Sequence, residues 1–191
     1  MVREGWAGLD MDVQLCESGG PPSGGSWLLR KGGVTMGAIA RVRDWLDQQD
    51  VKYEVRPHME AYTAQEVAAA AHIPGRAFAK VVMIKGQRGL VMAVLPAKCR
   101  VDIGRIQHLL RDQTATLAKE ADFEGTFKGC EVGAMPAFGN LYEVPVYLDK
   151  DLIGEETVAF PAGSHHEVIR ISSEDFLRLT GAKVEEFCEG E

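Results

Sequence analysis

Two apolar runs joined by a four-residue turn constrain the fold of this chain more than any other feature. Residues 80–85 and 90–95 are rich in valine and other strand formers, and the segment GQRG at 86–89 lies between them. This arrangement predicts a β-hairpin. Helical patterns and further short strands are interspersed on both sides of it, so we predict an α+β single domain with a mixed, largely antiparallel sheet. A doubly wound fold is not favoured, because long crossover helices and a G-x-G-x-x-G segment are both missing.

Capping signals and apolar spacing predict the remaining elements. Thr63 and Glu66 have the spacing of a capping box, in which the hydroxyl and the carboxylate each accept from an otherwise unpaired amide. Asp102 is suited to cap another helix, and Gly181 to end the last one. The predicted helices cover residues 38–49, 63–72, 103–111, 119–127 and 173–179. The predicted strands outside the hairpin cover residues 53–56, 144–148, 157–160, 167–171 and 183–187.

The first 35 residues differ from the rest of the chain. They contain GGPPSGG and a second glycine pair but no sustained helical or strand period, so we predict a poorly ordered extension at 1–35 and a domain at 36–191. No apolar run reaches the roughly 18–20 residues that cross a bilayer, and the N-terminus lacks a secretory signal, which favours a cytoplasmic protein. The four cysteines, at positions 16, 99, 130 and 188, include no C-x-x-C pair. They are predicted to be reduced thiols, with neither a zinc site nor a disulfide framework.

The positive charge is concentrated in the middle of an acidic chain. The whole sequence has a formal net charge of −7, yet residues 76–119 hold nine basic side chains and only two acidic ones, Asp102 and Asp112. Such an asymmetry can mark a surface that faces phosphates. It can equally be a set of solvated side chains paired with acids from elsewhere in the fold. The sequence leaves both interpretations open.

Three local features could carry chemistry. Lys80 enters an apolar strand, where a lysine either extends to water or faces an anion in a cleft. The glycine-rich segment 129–140 can direct backbone amides at a carboxylate, a phosphate or an oxyanion, or it can be an ordinary turn. His165 could orient a substrate or transfer a proton, and is as readily a structural histidine. His165 and His166 would point to opposite faces of a strand, so no metal site is predicted.

Taken in order, these features resemble the family of YbaK-type aminoacyl-tRNA deacylases and prolyl-tRNA synthetase editing domains. The resemblance spans about residues 36–188 and rests on the strings HMEAYTAQEV at 58–67, AKVV at 79–82, VLP at 94–96, GAMPAFG at 133–139 and AGSH at 162–165. The chain departs from the family pattern at Val81, at Pro161 and at Ala137, so the resemblance does not name the amino acid that is removed. It implies a curved sheet and hydrolysis of the ester between a wrong amino acid and tRNA, without a metal, a cofactor or a covalent enzyme nucleophile.

The resemblance also implies roles for individual residues. The expected catalytic residues are Lys80, Gly133 and His165. The expected substrate-binding residues are Tyr62, Thr63, Val81, Ala134, Met135, Pro136, Phe138, Gly139 and Gly163, with Tyr62 and Phe138 near enough to stack on bases. The expected tRNA-binding residues are Arg76, Lys85, Lys98 and Arg100.

The sequence therefore predicts a free-standing deacylase that clears mischarged tRNA, specifically a prolyl-type tRNA carrying a small non-cognate amino acid, with prolyl-tRNA synthetase as an associated partner. A non-catalytic module of the same fold, which senses aminoacyl-tRNA or docks on a synthetase, is the alternative. A small-molecule esterase is a third possibility, but it would not need the basic stretch.

Overall fold

The structure of the protein is a computed structural model, which describes residues 38–189. The predicted extension at 1–35 lies outside the described residues. All described residues belong to one compact unit. Five α-helices occur in it: α1 Ala38–Gln48, α2 Ala64–Ala70, α3 Ile103–Leu110, α4 Glu120–Phe123 and α5 Ser173–Thr180. The ten strands of residues 38–189 are β1 Glu54–Pro57, β2 Ala79–Gly86, β3 Gly89–Pro96, β4 Arg100–Val101, β5 Thr116–Leu117, β6 Val146–Asp149, β7 Thr157–Pro161, β8 Glu167–Ser172, β9 Lys183–Glu185 and β10 Cys188–Glu189.

The strands form a mixed five-stranded sheet, an antiparallel three-stranded sheet and one short pair. The five-stranded sheet has the order β5-β2-β3-β6-β9, with β3, β6 and β9 mutually parallel and the other pairs antiparallel. The three-stranded sheet has the order β1-β8-β7, and β4 pairs with β10. A parallel bridge between Phe78 and Ala159 connects the start of β2 to β7. The predicted α+β fold with a mixed sheet is confirmed.

Local sequence signals explain where several elements begin and end. The Glu66 amide donates to the Thr63 hydroxyl, and the Thr63 amide donates to the Glu66 carboxylate, so the predicted capping box opens α2. The Asp102 carboxylate accepts from the Arg105 amide at the start of α3. Gly181 follows α5 in the left-handed conformation, at a φ of 56°, which ends the helix at the predicted place.

The last predicted strand is shorter than expected. It ends at Glu185 because the Phe187 and Cys188 amides donate to the carboxylate of Asp149, at 2.8 and 2.7 Å. Asp149 is fully buried, and these bonds satisfy a group that would otherwise be costly to bury. The chain then continues into the short strand β10, which the sequence does not predict.

Strand β2 packs on both faces. Met83 belongs to the main core, whereas its neighbour Ile84 belongs to a smaller apolar cluster that also contains Phe187. This alternation is what a strand buried on both sides requires. The main core is organised around Phe138, whose ring centroid lies 4.9 Å from that of Phe160 and 5.7 Å from that of Phe176.

The prediction that all cysteines are reduced is wrong. Cys99 and Cys188 form a disulfide, with their Cα atoms 5.5 Å apart. Their separation along the chain conceals this contact, which arises because β4 and β10 pair and place Cys188 opposite Val101. Cys130 is a free, half-buried cysteine, and burial raises the pKa of its thiol. A raised thiol pKa disfavours the thiolate, so Cys130 is poorly suited to act as a nucleophile.

Between residues 38 and 189, none of the helices combines the length and the apolar composition that crossing a membrane requires.

Candidate active site

A cavity of about 210 Å³ opens between helix α2, the start of β2 and two loops. We call Lys80 and Val81 the strand wall of this cavity. We call Gly133, Ala134, Ser164 and His165 the loop wall. Tyr62, Ala64, Val67 and Pro161 complete the lining. Sequence elements that lie more than 100 residues apart therefore meet at one small cleft.

Lys80 is placed in the strand wall by the pairing of the hairpin. It lies opposite Leu95, so its side chain reaches the segment that follows β3. Its ammonium donates to the Cys99 carbonyl oxygen and, at 3.4 Å, to the Ala97 carbonyl oxygen. These bonds fix a cation at the edge of the cavity, in a half-buried position. A lysine in such a position is a compact point charge that suits a phosphate or a polar ribose oxygen.

The loop wall is held together by backbone hydrogen bonds between its two segments. The Glu131 amide donates to the Gly163 carbonyl oxygen, and the Gly163 amide donates to the Ala134 carbonyl oxygen, at 2.9 and 2.8 Å. The Glu131 carboxylate also accepts from the His165 amide at 2.7 Å. Gly163 adopts a φ of 105°, a conformation that favours glycine. The two segments are therefore fixed relative to each other before any ligand binds.

His165 connects this wall to the loop that precedes α2. Its Nδ1 lies 3.1 Å from the Ala61 carbonyl oxygen, and its Nε2 lies 2.8 Å from the Val132 carbonyl oxygen. A carbonyl oxygen only accepts hydrogen bonds, so neither ring nitrogen faces a donor. Both nitrogens are engaged with the backbone. This geometry favours a role in holding the two loops together over proton transfer.

Gly133 supplies an amide that is available for a ligand. The neighbouring Ala134 amide donates to the Glu131 carbonyl oxygen. Within residues 38–189, the Gly133 amide has no hydrogen-bond acceptor. Gly133 has a φ of 85°, and a Cβ at this position would lie 3.6 Å from the His165 ring. An unused amide on a rigid loop is suited to bind an oxyanion.

Tyr62 is an exposed aromatic residue in the lining of the cavity. The Tyr62 ring lies 5.0 Å from the His165 ring, and 66% of the Tyr62 residue is exposed. The Tyr62 hydroxyl donates to the Glu60 carboxylate at 2.6 Å, and this hydrogen bond raises the pKa of Tyr62. Met59 and Val132 are also largely exposed. The exposed Tyr62 ring offers an aromatic face on which a nucleic-acid base could stack.

Six predicted substrate-binding residues are absent from the lining of the cavity. One of them, Gly163, forms backbone hydrogen bonds to the loop that carries Ala134. Phe138 is fully buried against Phe160 and Phe176, so it cannot stack on a base as expected. Gly139 allows the chain to pass close to β6, because a Cβ there would lie 2.5 Å from the Val144 carbonyl oxygen. The residues outside the lining are Thr63, Met135, Pro136, Phe138 and Gly139, and Gly163 contributes backbone hydrogen bonds only.

The predicted tRNA-binding residues fall into two groups. Arg76 forms an ion pair with Glu155, and Lys85 forms one with Asp122, so the interpretation of the basic stretch as paired side chains holds for these two residues. Lys98 and Arg100 are exposed and form no ion pair with another residue of the range 38–189. They flank Cys99, one of the two residues whose carbonyl oxygens hold Lys80.

Sequence reasoning missed Glu131, Ser164, Ala64, Val67 and Pro161. Glu131 connects the loops by its backbone and its side chain, and nothing in its spacing distinguishes it from an ordinary surface acid. Ala64 and Val67 follow from the capping box, because the first turn of α2 faces the cavity. Ser164 and Pro161 lie directly beside the predicted residues Gly163 and His165. Their position next to these predicted residues is the sequence signal that could have identified them.

Comparisons with known proteins identify the family. The sequence profile of the aminoacyl-tRNA editing domain matches residues 58–179, which is more than half of the chain. The chain therefore belongs to the aminoacyl-tRNA editing domain family. A search of curated protein sequences gave no match.

Solved structures agree with this assignment. The chain is similar to a crystal structure described as a candidate trans-editing enzyme for prolyl-tRNA synthetase, with 27% identity and a TM-score of 0.68 over 80% of this chain and 98% of that one. It is also similar to a scaffold structure from a study of epitope grafting, with 25% identity and a TM-score of 0.69 over 81% of this chain and 98% of that one. A hypothetical protein of 20% identity, with a TM-score of 0.69 over 78% of this chain and 99% of that one, shares the fold.

Proposed function

We propose that the chain is a trans-editing deacylase that hydrolyses the ester of a mischarged tRNA, specifically a prolyl-type tRNA that carries a small non-cognate amino acid. The observation that carries the proposal is the pairing of two groups across one small cavity. Lys80 presents a fixed ammonium from the strand wall, and Gly133 presents an unused amide from the loop wall. An ester bound between them would have its terminal phosphate or ribose near the cation and its carbonyl near the amide.

The reaction needs an acceptor for the charge that develops on the carbonyl oxygen. In our proposal, the Gly133 amide donates to that oxygen as water adds to the carbonyl carbon. Removing one such donor from an active site typically costs about 10²–10³ in rate. The aminoacyl ester is already activated, so positioning it beside a water molecule supplies much of the remaining acceleration.

Direct attack by water fits the side chains better than a covalent route. Ser164 lines the cavity, but a serine nucleophile needs a base within hydrogen-bonding reach. His165 is adjacent in sequence, yet both of its ring nitrogens already contact carbonyl oxygens. A hydroxyl of the substrate ribose or an ordered water therefore carries the proton in this proposal.

The lining favours a small, uncharged amino acid. Val81, Ala134 and Pro161 are apolar and lie beside the reactive groups. A charged side chain would lose its hydration there without gaining a partner from these residues. The small volume of the cavity also favours an amino acid with a small side chain.

The acceptor end of the tRNA would approach along Lys98 and Arg100. Within residues 38–189 these exposed cations have no carboxylate partner and can meet phosphates, whereas Arg76 and Lys85 would have to leave their carboxylates. Tyr62 would stack on an unpaired base at the entrance. We further propose a cytoplasmic location and transient association with prolyl-tRNA synthetase, the setting in which such a substrate arises.

A deacylation screen tests the proposal. Purified protein is mixed with prolyl-type tRNA carrying labelled alanine, cysteine, serine, threonine or proline, and the loss of ester is followed over time. Lys80→Ala is run beside it, with Lys128→Ala as the matched control because Lys128 is an exposed lysine outside the cavity. Hydrolysis of one or more non-cognate esters, retained in the control and lost in Lys80→Ala, is the expected result.

Two other outcomes would overturn the enzyme assignment. If every ester decays at the buffer rate while the tRNA still binds, the domain is a sensor or a synthetase-docking module, an alternative that the apolar residues Val81 and Pro161 favour. If simple esters are hydrolysed as fast at high salt as at low salt, the substrate is a small molecule.

A further inference from the structure

The disulfide lies next to the residue that holds the ammonium of Lys80. Cys99 contributes its sulfur to the bond with Cys188 and its carbonyl oxygen to the hydrogen bond from Lys80. Cys99 thus connects the disulfide to the Lys80 ammonium through its own backbone, without a side chain of another residue between them.

The partner cysteine belongs to a well-anchored C-terminal segment. Phe187 is fully buried, and the amides of Phe187 and Cys188 both donate to the buried carboxylate of Asp149. Glu186 forms ion pairs with Arg105 and Lys150. The disulfide therefore links Cys99 to a C-terminal segment that is also held by burial, hydrogen bonds and ion pairs.

The segment that carries Cys99 is joined to the C-terminal segment by the β4–β10 pairing, which begins one residue after Cys99, and by the disulfide. The Ala97 amide donates to the Phe78 carbonyl oxygen, and the Cys99 amide closes a turn onto Pro96. Its side chains at 98 and 100 are exposed. The disulfide is thus the covalent link between Cys99 itself and the C-terminal segment, and it adds to the strand pairing that holds the two segments together.

We propose that Cys99 and Cys188 form a thiol–disulfide modification site whose oxidation state sets the position of the Lys80 ammonium. In the oxidised state the Cys99 carbonyl oxygen is fixed and holds Lys80 at the cavity. In the reduced state the turn at 97–99 gains freedom, and the Cys99 carbonyl oxygen, one of the two that accept from Lys80, is held less firmly. The consequence for catalysis rests on the proposed deacylase function, but the coupling between the disulfide and Lys80 does not.

The reductant is a dithiol, and the chemistry balances. Its thiolate attacks the sulfur of Cys188, a half-buried residue, whereas Cys99 is buried, and the bond between the two protein sulfurs breaks. Cys99 leaves as a thiolate and takes a proton. The second thiol of the reductant then attacks the mixed disulfide and releases Cys188 as a thiol. The protein gains two electrons and two protons, and the dithiol becomes a cyclic disulfide.

The fold is expected to survive this change, which makes the site testable. Phe187 and the hydrogen bonds to Asp149 keep the C-terminal segment in place without the disulfide. Reduction nevertheless leaves two thiols beside Asp151, with the three potential ligand atoms within 4.8 Å of one another. The experiments therefore include a chelator, so that no soft metal bridges the reduced cysteines.

The first measurement does not depend on activity. Full-length protein is equilibrated with an oxidised or a reduced dithiol, and peptide mapping identifies the Cys99–Cys188 link. Each sample is then treated briefly with an amine-acylating reagent, and modification of Lys80 is measured relative to Lys128. We expect Lys80 to react faster after reduction, and in Cys188→Ser under both conditions. Cys130→Ser, which removes the free cysteine of residues 38–189, should behave like the unmodified protein.

The second measurement is deacylation in the same samples. A displacement of the ammonium by about 1 Å corresponds to a loss of up to about 10²-fold in rate, and Cys188→Ser should be insensitive to the dithiol. Equal Lys80 labelling in both redox states, or no detectable link between the two cysteines, overturns the proposal. Redox-dependent labelling in a protein that hydrolyses no ester would support the coupling and refute the deacylase function instead.

Discussion

The two walls of the cavity are positioned by different kinds of structure. Lys80 and Val81 belong to a long hairpin strand, so backbone pairing determines where they lie. Gly133, Ala134, Ser164 and His165 lie in loops, and they are positioned by hydrogen bonds between those loops and by the core beneath them. The position of the strand wall is therefore set by strand register, which many backbone hydrogen bonds maintain together. The position of the loop wall depends on a few individual contacts. Substitutions should therefore damage the loop wall selectively.

The largest effect is expected at the base of the loop wall. Phe138→Ala removes a fully buried ring that contacts Phe160 and Phe176. A change of this kind typically lowers the free energy of unfolding by about 3–5 kcal/mol, which chemical denaturation can measure. The matched control is Phe123→Ala, because that ring is only partly buried. Equal losses in the two variants would show that Phe138 does not anchor the loop.

A smaller loss of stability is expected at Gly139. The added Cβ of Gly139→Ala would lie 2.5 Å from the Val144 carbonyl oxygen and 2.8 Å from a Val146 methyl group. Overpacking of this kind costs about 1–3 kcal/mol of unfolding free energy. Gly154→Ala is the control, since its Cβ would lie 3.9 Å from the nearest atom. If both variants melt at the same temperature, the close approach to β6 is not a constraint.

His165→Ala separates positioning from proton transfer. The variant loses the ring contacts to the Ala61 and Val132 carbonyl oxygens; a neutral imidazole donates to one of them at a time, a hydrogen bond worth about 0.5–1.5 kcal/mol. We expect a moderate loss of stability and a lower deacylation rate, with an unchanged shape of the pH–rate profile. His166→Ala serves as the control because its side chain is exposed. A pH–rate profile that loses one of its limbs in His165→Ala would instead assign the proton transfer to this histidine.

The smallest effect concerns the cap of α2, the helix that contributes Ala64 and Val67 to the cavity. Hydrogen bonds from Thr63 hold the pKa of Glu66 below the 4.5 of an unpaired glutamate. The ionised cap therefore stabilises the fold above that value, and this contribution is lost as the pH falls through the lowered pKa of the folded state. The free energy of unfolding, measured by denaturation between about pH 5 and pH 3, should fall more steeply with falling pH for the natural chain than for Glu66→Gln. Parallel curves would mean that the carboxylate charge adds nothing to the cap.

The sequence predicted those parts of the molecule that depend on local chemistry. The capping box, the hairpin and the glycine that ends α5 each act within a few residues, so spacing alone indicates them. Lys80 was found because its setting at the start of an apolar strand is unusual for a charged side chain. These features locate the strand wall and one edge of the cavity.

The parts that could not be predicted depend on contacts between distant segments. Phe138 belongs to the motif that suggested a pocket, yet the packing of α5 and β7 around it makes it a core residue. Cys99 and Cys188 meet only because β4 and β10 pair. Glu131 matters through its bonds to Gly163 and His165, which no spacing rule reveals.

The pairing of β1 with β8 has a consequence for synthesis on the ribosome. Glu54 lies opposite Arg170, so the second strand of this pair is made long after the first. The β2–β3 hairpin can form as soon as it emerges, but the three-stranded sheet must wait for most of the chain. His165 lies just before β8, and thus the cleft cannot form until residues 165–172 have been made. A truncated translation product would carry Lys80 and its basic neighbours without the loops that complete the pocket.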